Sequence, residues 1–175
     1  QYLQKILPLI EQDLYSIINE NKIKSLCELG SGLGQNINFA VEAGMRVLSL
    51  EISKKALAVQ LKKFSGHENF KCGSFNVFGN FDCLDDIQSG SLVFSSYVFS
   101  LNPILSEGLF AALLRKNPHS VIHYEPIFEL HETPTTHDKN VSKYITENDY
   151  NTNLLSILKK LEVQGDLEIV RVEKN

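Results

Sequence analysis

The stretch that decides the fold is Lys24-Ser-Leu-Cys-Glu-Leu-Gly-Ser-Gly-Leu-Gly-Gln-Asn36. Residues 23–29 are mostly apolar and contain no proline, which predicts a short buried strand. The strand leads directly into three glycines: Gly30, Gly32 and Gly34. Residues 37–43 then have the apolar spacing of a helix. Strand, glycine turn and helix in this order open a nucleotide-binding βαβ unit, because glycine tolerates positive φ and lets a ligand approach the backbone.

The spacing of the glycines separates two classes of cofactor. A dinucleotide-binding turn has the pattern G-x-G-x-x-G, but the position that would hold its third glycine is Gln35. The pattern here is G-x-G-x-G, and an acidic residue, Glu28, stands two positions before the first glycine. This spacing disfavours a dinucleotide site.

The turn resembles the first motif of the class I (Rossmann-like) S-adenosylmethionine-dependent methyltransferases. In that family an acidic residue precedes G-x-G-x-G at the end of the first strand, and Glu28 with the three glycines matches position by position. A second match is Glu51, which ends the apolar stretch 47–50 about twenty residues after the glycines. An acid at that place can accept hydrogen bonds from both ribose hydroxyls. The resemblance covers residues 23–126.

The resemblance implies an α/β fold with a three-layer Rossmann-like sheet that is mostly parallel, has an antiparallel C-terminal strand and carries helices on both faces. Alternating strand and helix patterns up to residue 126 favour the same fold. We predict a single domain over residues 1–175: an N-terminal helix (1–22), a cofactor-binding core (23–126), a long loop (127–145), and a C-terminal helix and strand (146–175). The resembled fold ends in a strand pair, and only residues 167–172 supply a strand. We therefore expect that pair to be incomplete and the protein to be longer.

The resemblance also implies S-adenosylmethionine as the cofactor and S-adenosylhomocysteine as its product. It places these residues around the cofactor: Glu28, Gly30, Ser31, Gly32, Gly34, Glu51, Ile52, Ser74, Phe75, Asn76 and Ser96. The family usually has an Asp after the third strand, and this chain departs from that pattern. Ser74 or Asn76 can still present an oxygen to the adenine amino group and Phe75 an apolar contact to the ring. The alternative is that all three residues only form a turn.

Methyl transfer from a sulfonium requires mainly alignment and exclusion of water, since the donor is already activated. A general base is needed only if the acceptor loses a proton in the transition state. The candidates are Tyr97 after the fourth predicted strand, and His123 and Glu125 at the end of the fifth. His123 and Glu125 point to the same side by strand alternation. The alternatives are that His123 is a hydrogen-bonded core residue and that Glu125 caps the following turn.

Motifs of other chemistries are absent or incomplete. The N-P-P-Y-like motif of amino-methyltransferases acting on nucleic-acid bases or glutamine is replaced by the sequence Ser95–Ser100. There is no G-x-S-x-G elbow of a hydrolase. The acids Asp82, Asp85 and Asp86 are more typical of a solvated loop than of a metal site. We expect no metal at His131, Glu132, His137 and Asp138 either, because their spacing is not H-E-x-x-H; a substrate lid or a plain loop is the interpretation.

Composition narrows the choice of partners. The net charge is −4 with scattered Lys and Arg, so the chain lacks the basic patch of a nucleic-acid binder. Three cysteines without C-x-x-C spacing favour a reducing compartment. No apolar run reaches the ~20 residues of a membrane span, and no signal-peptide pattern is present. We expect a cytoplasmic protein with a small-molecule partner and neither nucleic acid nor membrane; the oligomeric state cannot be read from the sequence.

The sequence therefore predicts an S-adenosylmethionine-dependent methyltransferase that methylates oxygen or nitrogen of a small-molecule acceptor. Two other hypotheses stay open. One is a catalytically silent module that binds the cofactor or a partner. The other is an NAD(P)-dependent oxidoreductase, which Gln35 and Glu28 disfavour.

Overall fold

The computed structural model describes residues 3–131 and 135–173 of the chain. Five strands form one sheet in the order β3-β2-β1-β4-β5, and every neighbouring pair is parallel. Their bounds are β1 Ser25–Leu29, β2 Arg46–Glu51, β3 Phe70–Ser74, β4 Leu92–Ser96 and β5 Ser120–Tyr124. The strand order reverses between β1 and β4. In open parallel sheets a ligand binds outside the carboxyl ends of the strands at that point.

Helices cover the two faces of the sheet. Their bounds are α1 Leu3–Asn21, α2 Asn38–Glu42, α3 Lys54–Lys63, α4 Glu107–Leu114, α5 Thr136–Glu147 and α6 Leu154–Gln164. Three short 3-10 helices lie at Asp82–Asp86, Phe99–Leu101 and Phe128–His131. Within the described ranges, none of the helices has the length and apolarity needed to cross a bilayer.

Strand alternation divides the core into two layers. Leu26 and Leu92 pack with α1 and α2 in one cluster, whereas Leu29 and Val93 pack with α4 and α6 in the other. All five residues of β1 are buried, as expected of a central strand covered on both faces. The predicted three-layer, mostly parallel arrangement is confirmed.

Helix α1 is held against the sheet at its Asp13. The Tyr124 hydroxyl at the end of β5 donates to Asp13 Oδ2 at 2.6 Å. The apolar stripe Ile10, Leu14 and Ile18 faces the sheet and is buried. The described helix begins at Leu3, contains Pro8 and lies within the predicted range 1–22.

The prediction of a long loop over residues 127–145 is wrong for most of the residues that the structure describes there. This segment contains the 3-10 helix Phe128–His131 and helix α5, while residues 132–134 lie outside the described residues. Thr135 caps α5, since its Oγ1 accepts from the Asp138 N–H at 3.1 Å. Because the segment is mostly polar, its sequence is typical of a loop, and the capping residue does not stand out from its neighbours. The predicted helix start at Thr146 is also wrong, because α5 ends at Glu147 and α6 begins at Leu154.

The predicted C-terminal strand 167–172 is not formed in the part of the chain that the structure describes. The Ile169 N–H donates to Glu162 Oε1 at 2.7 Å instead of to a neighbouring strand. Val170 is 87% exposed, while Leu167 packs on the core. Of this alternating apolar stretch, Leu167 is therefore packed on the core, but the stretch forms no strand hydrogen bonds among the described residues.

Candidate cofactor site

The glycine turn lies at the carboxyl end of β1 and folds back onto β2. The N–H groups of Gly30 and Ser31 both donate to the Leu50 carbonyl, at 2.7 and 3.1 Å. Three glycines have φ of +73°, +53° and +70°: Gly30, Gly32 and Gly34. This left-handed region strains residues that carry a Cβ. The turn therefore requires glycines at the positions where the sequence has them.

The three glycines face different surroundings. A Cβ added at Gly32 would meet nothing within 4 Å, whereas one added at Gly30 would overlap the side chain of Val98. A Cβ at Gly34 would lie 3.0 Å from Cε2 of Phe64 on the interior side. The open side of the turn is therefore at Gly32, and a ligand that approaches the backbone does so there.

A buried polar network ties the glycine turn to α3. Gln60 is fully buried and donates through Nε2 to Ser31 Oγ at 2.9 Å and to the Gly32 carbonyl at 2.6 Å. Ser49 Oγ lies 2.5 Å from both Ser31 Oγ and Gln60 Oε1. Ser49 and Gln60 are not among the site residues that the sequence predicts. Their signal was a polar residue at a buried position of a strand and another on the buried face of a helix.

Glu51 points its carboxylate at the glycine turn. Its Oε2 accepts from the Gly32 N–H at 2.8 Å, and its Oε1 accepts from the Ser53 N–H at 2.8 Å. A carboxylate has about four acceptor sites, so these two bonds fix its orientation and leave others free. Two hydroxyl groups of a bound ribose can use them. The geometry fits the role that the resemblance implies for Glu51.

Glu28 is a buried carboxyl group beside the same turn, with 1% exposure. Its Oε1 accepts from Asn36 Nδ2 at 2.6 Å, and its Oε2 has no hydrogen-bond partner among the described residues. Burial raises the pKa of Glu28 to about 8, the Asn36 bond opposes this rise, and the charge of Glu51 adds to it. A buried carboxyl oxygen without a hydrogen-bond partner destabilises the ligand-free protein. A cationic N–H donor of a ligand would complete it.

The residues present therefore fit S-adenosylmethionine. The ammonium group of its methionine part can donate to Glu28 Oε2, and its ribose can donate to Glu51. Asn36, which holds Glu28, was not among the predicted site residues. Its Oδ1 is likewise buried and lacks a hydrogen-bond partner within the described chain. The sequence signal was an amide two positions after the last glycine of the motif.

Of the residues predicted to contact adenine, the structure leaves some exposed at the expected edge of the sheet and buries another in the core. Ile52 is 62% exposed beside Glu51, and Ser74 and Asn76 are exposed at the end of β3. Asn76 Oδ1 accepts from the Phe78 N–H at 3.0 Å, as in a turn. The predicted contact of Phe75 with the adenine ring is wrong. Phe75 is 2% exposed and packs in the core, because the alternation after β3 turns its ring inward, away from any adenine.

His123 is half-buried and is held by contacts within the chain in this structure. Its ring lies 5.2 Å from the Phe99 ring and 6.0 Å from the Phe110 ring, between centroids. Burial lowers the pKa of His123 to about 4, so the imidazole is neutral at pH 7. Ser95 Oγ donates to Glu125 Oε1 at 2.9 Å, and His123 Nδ1 lies 3.0 Å from the same hydroxyl. Since a hydroxyl donates only once, the proton of His123 sits on Nδ1.

Glu125 caps the turn that follows β4. Its Oε1 accepts from the N–H groups of Val98 and Phe99 at 3.0 and 3.1 Å, and its Oε2 accepts from Ser100 N–H at 3.0 Å. Glu125 is therefore a cap, but of the turn after β4 and not of the turn that follows Glu125 itself, which was the alternative from the sequence.

Tyr97 is half-buried with φ +54°, and its N–H donates to the Tyr124 carbonyl. Ser96 is half-buried at the end of β4.

No protein-family profile matches the sequence, and no curated protein matches it either. Solved structures do match. The methyltransferase domain of bacterial CtHen1-C has a TM-score of 0.54 and 12% identity over 88% of this chain and 80% of that chain. The methyltransferase domain of bacterial CtHen1-CN has a TM-score of 0.50 and 12% identity over 66% and 65%.

The chain has the class I methyltransferase fold. A further match, at a TM-score of 0.45, is the glycopeptide N-methyltransferase MtfA, with 20% identity over 61% of this chain and 51% of that chain. The match spans less than two thirds of the CtHen1-CN and MtfA chains. Within the class I methyltransferase fold, the turn after β1 and the acid at the end of β2 occupy the edge of the sheet where ligands bind.

Proposed function

We propose that this chain is an S-adenosylmethionine-dependent methyltransferase that acts on oxygen or nitrogen of a small-molecule acceptor. The observation that carries the proposal is the pair of carboxyl groups at the glycine turn. Glu51 is fixed there by the N–H groups of Gly32 and Ser53, and Glu28 presents a buried oxygen that lacks a donor in the described structure. A ligand with two vicinal hydroxyls and an ammonium group suits both.

The roles of the chain's residues follow from this geometry. Glu51 accepts from the ribose hydroxyls, Glu28 accepts from the ammonium group, and Gly32 leaves room for the ligand against the backbone. When bound, the cofactor supplies a methyl group on a sulfonium sulfur. The chain then has to align the acceptor behind that methyl group and to keep water out.

The candidate bases favour certain acceptors over others. His123, with a pKa of about 4, is too weak to deprotonate an alcohol at pH 7, and Glu125 already holds three N–H groups and the Ser95 hydroxyl. A neutral amine attacks through its own lone pair and releases its proton afterwards. An ionised oxygen has no proton to lose. Both kinds of acceptor fit a site of this type better than an aliphatic alcohol does.

The same observation supports a second candidate, a catalytically silent module that binds the cofactor. His123 and Glu125 are bonded within the chain, and Val98 covers Gly30. Transfer of a radiolabelled methyl group from S-adenosylmethionine into a small-molecule extract separates the two candidates. The methyltransferase labels a product, whereas the silent module binds the cofactor and labels nothing.

Calorimetric titration of the full chain with S-adenosylhomocysteine, with NADH in a parallel titration, tests the proposal. We expect one S-adenosylhomocysteine per chain and no heat from NADH. Binding of NADH alone would support the oxidoreductase hypothesis instead. Binding of neither ligand would remove the basis of both proposals.

A further inference from the structure

Three side chains of metal-ligating types meet after β5: His131, His137 and Asp138. One donor atom of each lies within 4.8 Å of the other two. His131 ends the 3-10 helix Phe128–His131, and the other two residues belong to the first turn of α5. We propose that this His131–His137–Asp138 cluster binds one divalent transition-metal ion of the zinc class.

Two of the three donors are already held in place. His131 Nδ1 lies 2.9 Å from Asp138 Oδ1, and Asp138 Oδ2 accepts from the Thr135 hydroxyl at 2.7 Å. The Ser142 hydroxyl donates to the His131 carbonyl at 2.8 Å, which fixes the 3-10 helix to α5. The side chains of His131 and Asp138 are 11% and 4% exposed. The Thr135 bond to Asp138 Oδ2 is the outer support that a ligating carboxylate has in metal sites. The hydrogen bond between His131 and Asp138 would be replaced by bonds to the ion.

The donor set selects the kind of ion. Two imidazoles and one carboxylate suit zinc and neighbouring transition metals, whereas magnesium and calcium prefer oxygen donors. Bonds of about 2.0–2.2 Å around tetrahedral zinc place its ligand atoms roughly 3.3 Å apart. The 2.9 Å between His131 and Asp138 is already close to that spacing. His137 is exposed, so a rotation of its ring can bring the third donor in.

Three protein ligands leave a fourth tetrahedral position for water or another small ligand. The ion would also bridge the segment after β5 to α5 and so stabilise their contact. The sequence predicts no metal here, because the two histidines of an H-E-x-x-H site lie on one helix. The cluster instead joins the end of one helix to the start of the next, and no local spacing rule describes that. The inference stands apart from the proposed function, since it shares no residue with the cofactor site.

Zinc titration of the full chain tests the proposal. The protein is first stripped of metal with a chelator, and the chelator is removed. The stripped protein then competes with a chromophoric chelator for Zn²⁺. In a separate titration, the visible absorption of bound Co²⁺ reports the coordination geometry. We expect one ion per chain with tetrahedral Co²⁺ bands. We expect His137→Ala to weaken Zn²⁺ binding at least tenfold, since even loss of a ligand's support costs about 10- to 100-fold. His119→Ala is the matched control, because His119 is also exposed and lies outside the cluster.

Thermal unfolding provides a second readout. An ion that binds only the folded chain raises its melting temperature, so Zn²⁺ should raise that of the wild type and of His119→Ala but not that of His137→Ala. The proposal fails if the wild type binds no stoichiometric Zn²⁺, or if His137→Ala binds it as the wild type does. Titration with S-adenosylhomocysteine is a separate measurement. If the wild type binds S-adenosylhomocysteine but not Zn²⁺, the metal proposal is wrong. If it binds Zn²⁺ but not S-adenosylhomocysteine, the proposed function is wrong.

Discussion

The Oε2 atom of Glu51 accepts a hydrogen bond from the backbone nitrogen of Gly32 at 2.8 Å, which joins the end of β2 to the turn after β1. The bond brings the acid and the glycine turn into one site although they lie nineteen residues apart in sequence. It also orients the carboxylate before any ligand arrives. A preorganised acceptor loses less free energy when it binds.

Replacement of Glu51 by Ala should weaken binding of S-adenosylhomocysteine by about 1–3 kcal/mol, because hydrogen bonds to a charged acceptor are lost. Calorimetry measures the change. Glu42→Ala serves as the control, since Glu42 is exposed on α2, away from the glycine turn, and accepts from Asn38. Wild-type affinity in the Glu51 variant would mean that the ribose lies elsewhere.

The pKa of Glu28 gives stability a pH dependence of known sign. Its pKa is about 8 in the folded protein and about 4.3 in an unfolded chain, so the folded state binds more protons between these values. Its contribution to the free energy of unfolding is therefore fully present below pH ~4 and is lost as the pH rises through 8. Glu28→Gln should flatten this part of the profile. Denaturant unfolding from pH 5 to 9 checks it, and an equal slope in both proteins would contradict the shift.

The same carboxyl group should couple cofactor binding to proton release. At pH 7 most ligand-free chains hold Glu28 protonated, and an ammonium donor favours its ionised form. Calorimetric titrations at pH 7 in buffers of different ionisation enthalpy should show release of a proton on binding of S-adenosylhomocysteine. In Glu28→Gln this release should disappear. Buffer-independent heats in the wild type would be evidence against an ammonium bond to Glu28.

Gln60 should be important for stability. Gln60→Leu leaves the Gly32 carbonyl without its buried donor and takes one of the hydrogen-bond partners of Ser31 Oγ, which should cost about 1–3 kcal/mol of the free energy of unfolding. Gln164→Leu makes the same exchange at an exposed position of a helix. Urea unfolding of both variants measures the difference. Equal stability of the two would show that the network contributes little.

Glu125 should behave as a structural cap. Glu125→Ala removes the acceptor of three backbone N–H groups, so we expect a lower melting temperature and looser packing of the 3-10 helix Phe99–Leu101. Glu147→Ala, at an exposed position of α5, is the control. A Glu125 variant with unchanged melting temperature but no methyl transfer would instead support direct catalysis by this residue.

The part of the fold that the sequence predicted well is governed by local rules. Positive φ at the glycines and an acid at the end of an apolar strand are properties of a few adjacent residues, and Gly30, Gly32 and Glu51 lie where those rules place them. The alternation of strands and helices likewise predicted the parallel sheet.

The rest depended on contacts between distant residues. The network of Ser49 and Gln60 forms only when α3 packs under the turn, and neither residue belongs to a motif. Residues 167–172 have the alternation of a strand, but a strand also needs a partner, and the described chain gives Ile169 a side-chain acceptor instead. The polar residues around Thr135 predict a loop where helix α5 forms, because the cap that stabilises α5 is itself polar.

A matched pair of glycine variants tests the central claim most directly. Gly32 and Gly44 both have positive φ, +53° and +71°, and a Cβ added at either meets nothing within 4 Å. Ala should therefore strain the backbone similarly at both positions, but only Gly32 lies at the proposed cofactor site. Titration with S-adenosylhomocysteine should show binding weakened at least tenfold in Gly32→Ala and unchanged in Gly44→Ala. Equal affinities in the two variants would contradict the assignment of the glycine turn to the cofactor.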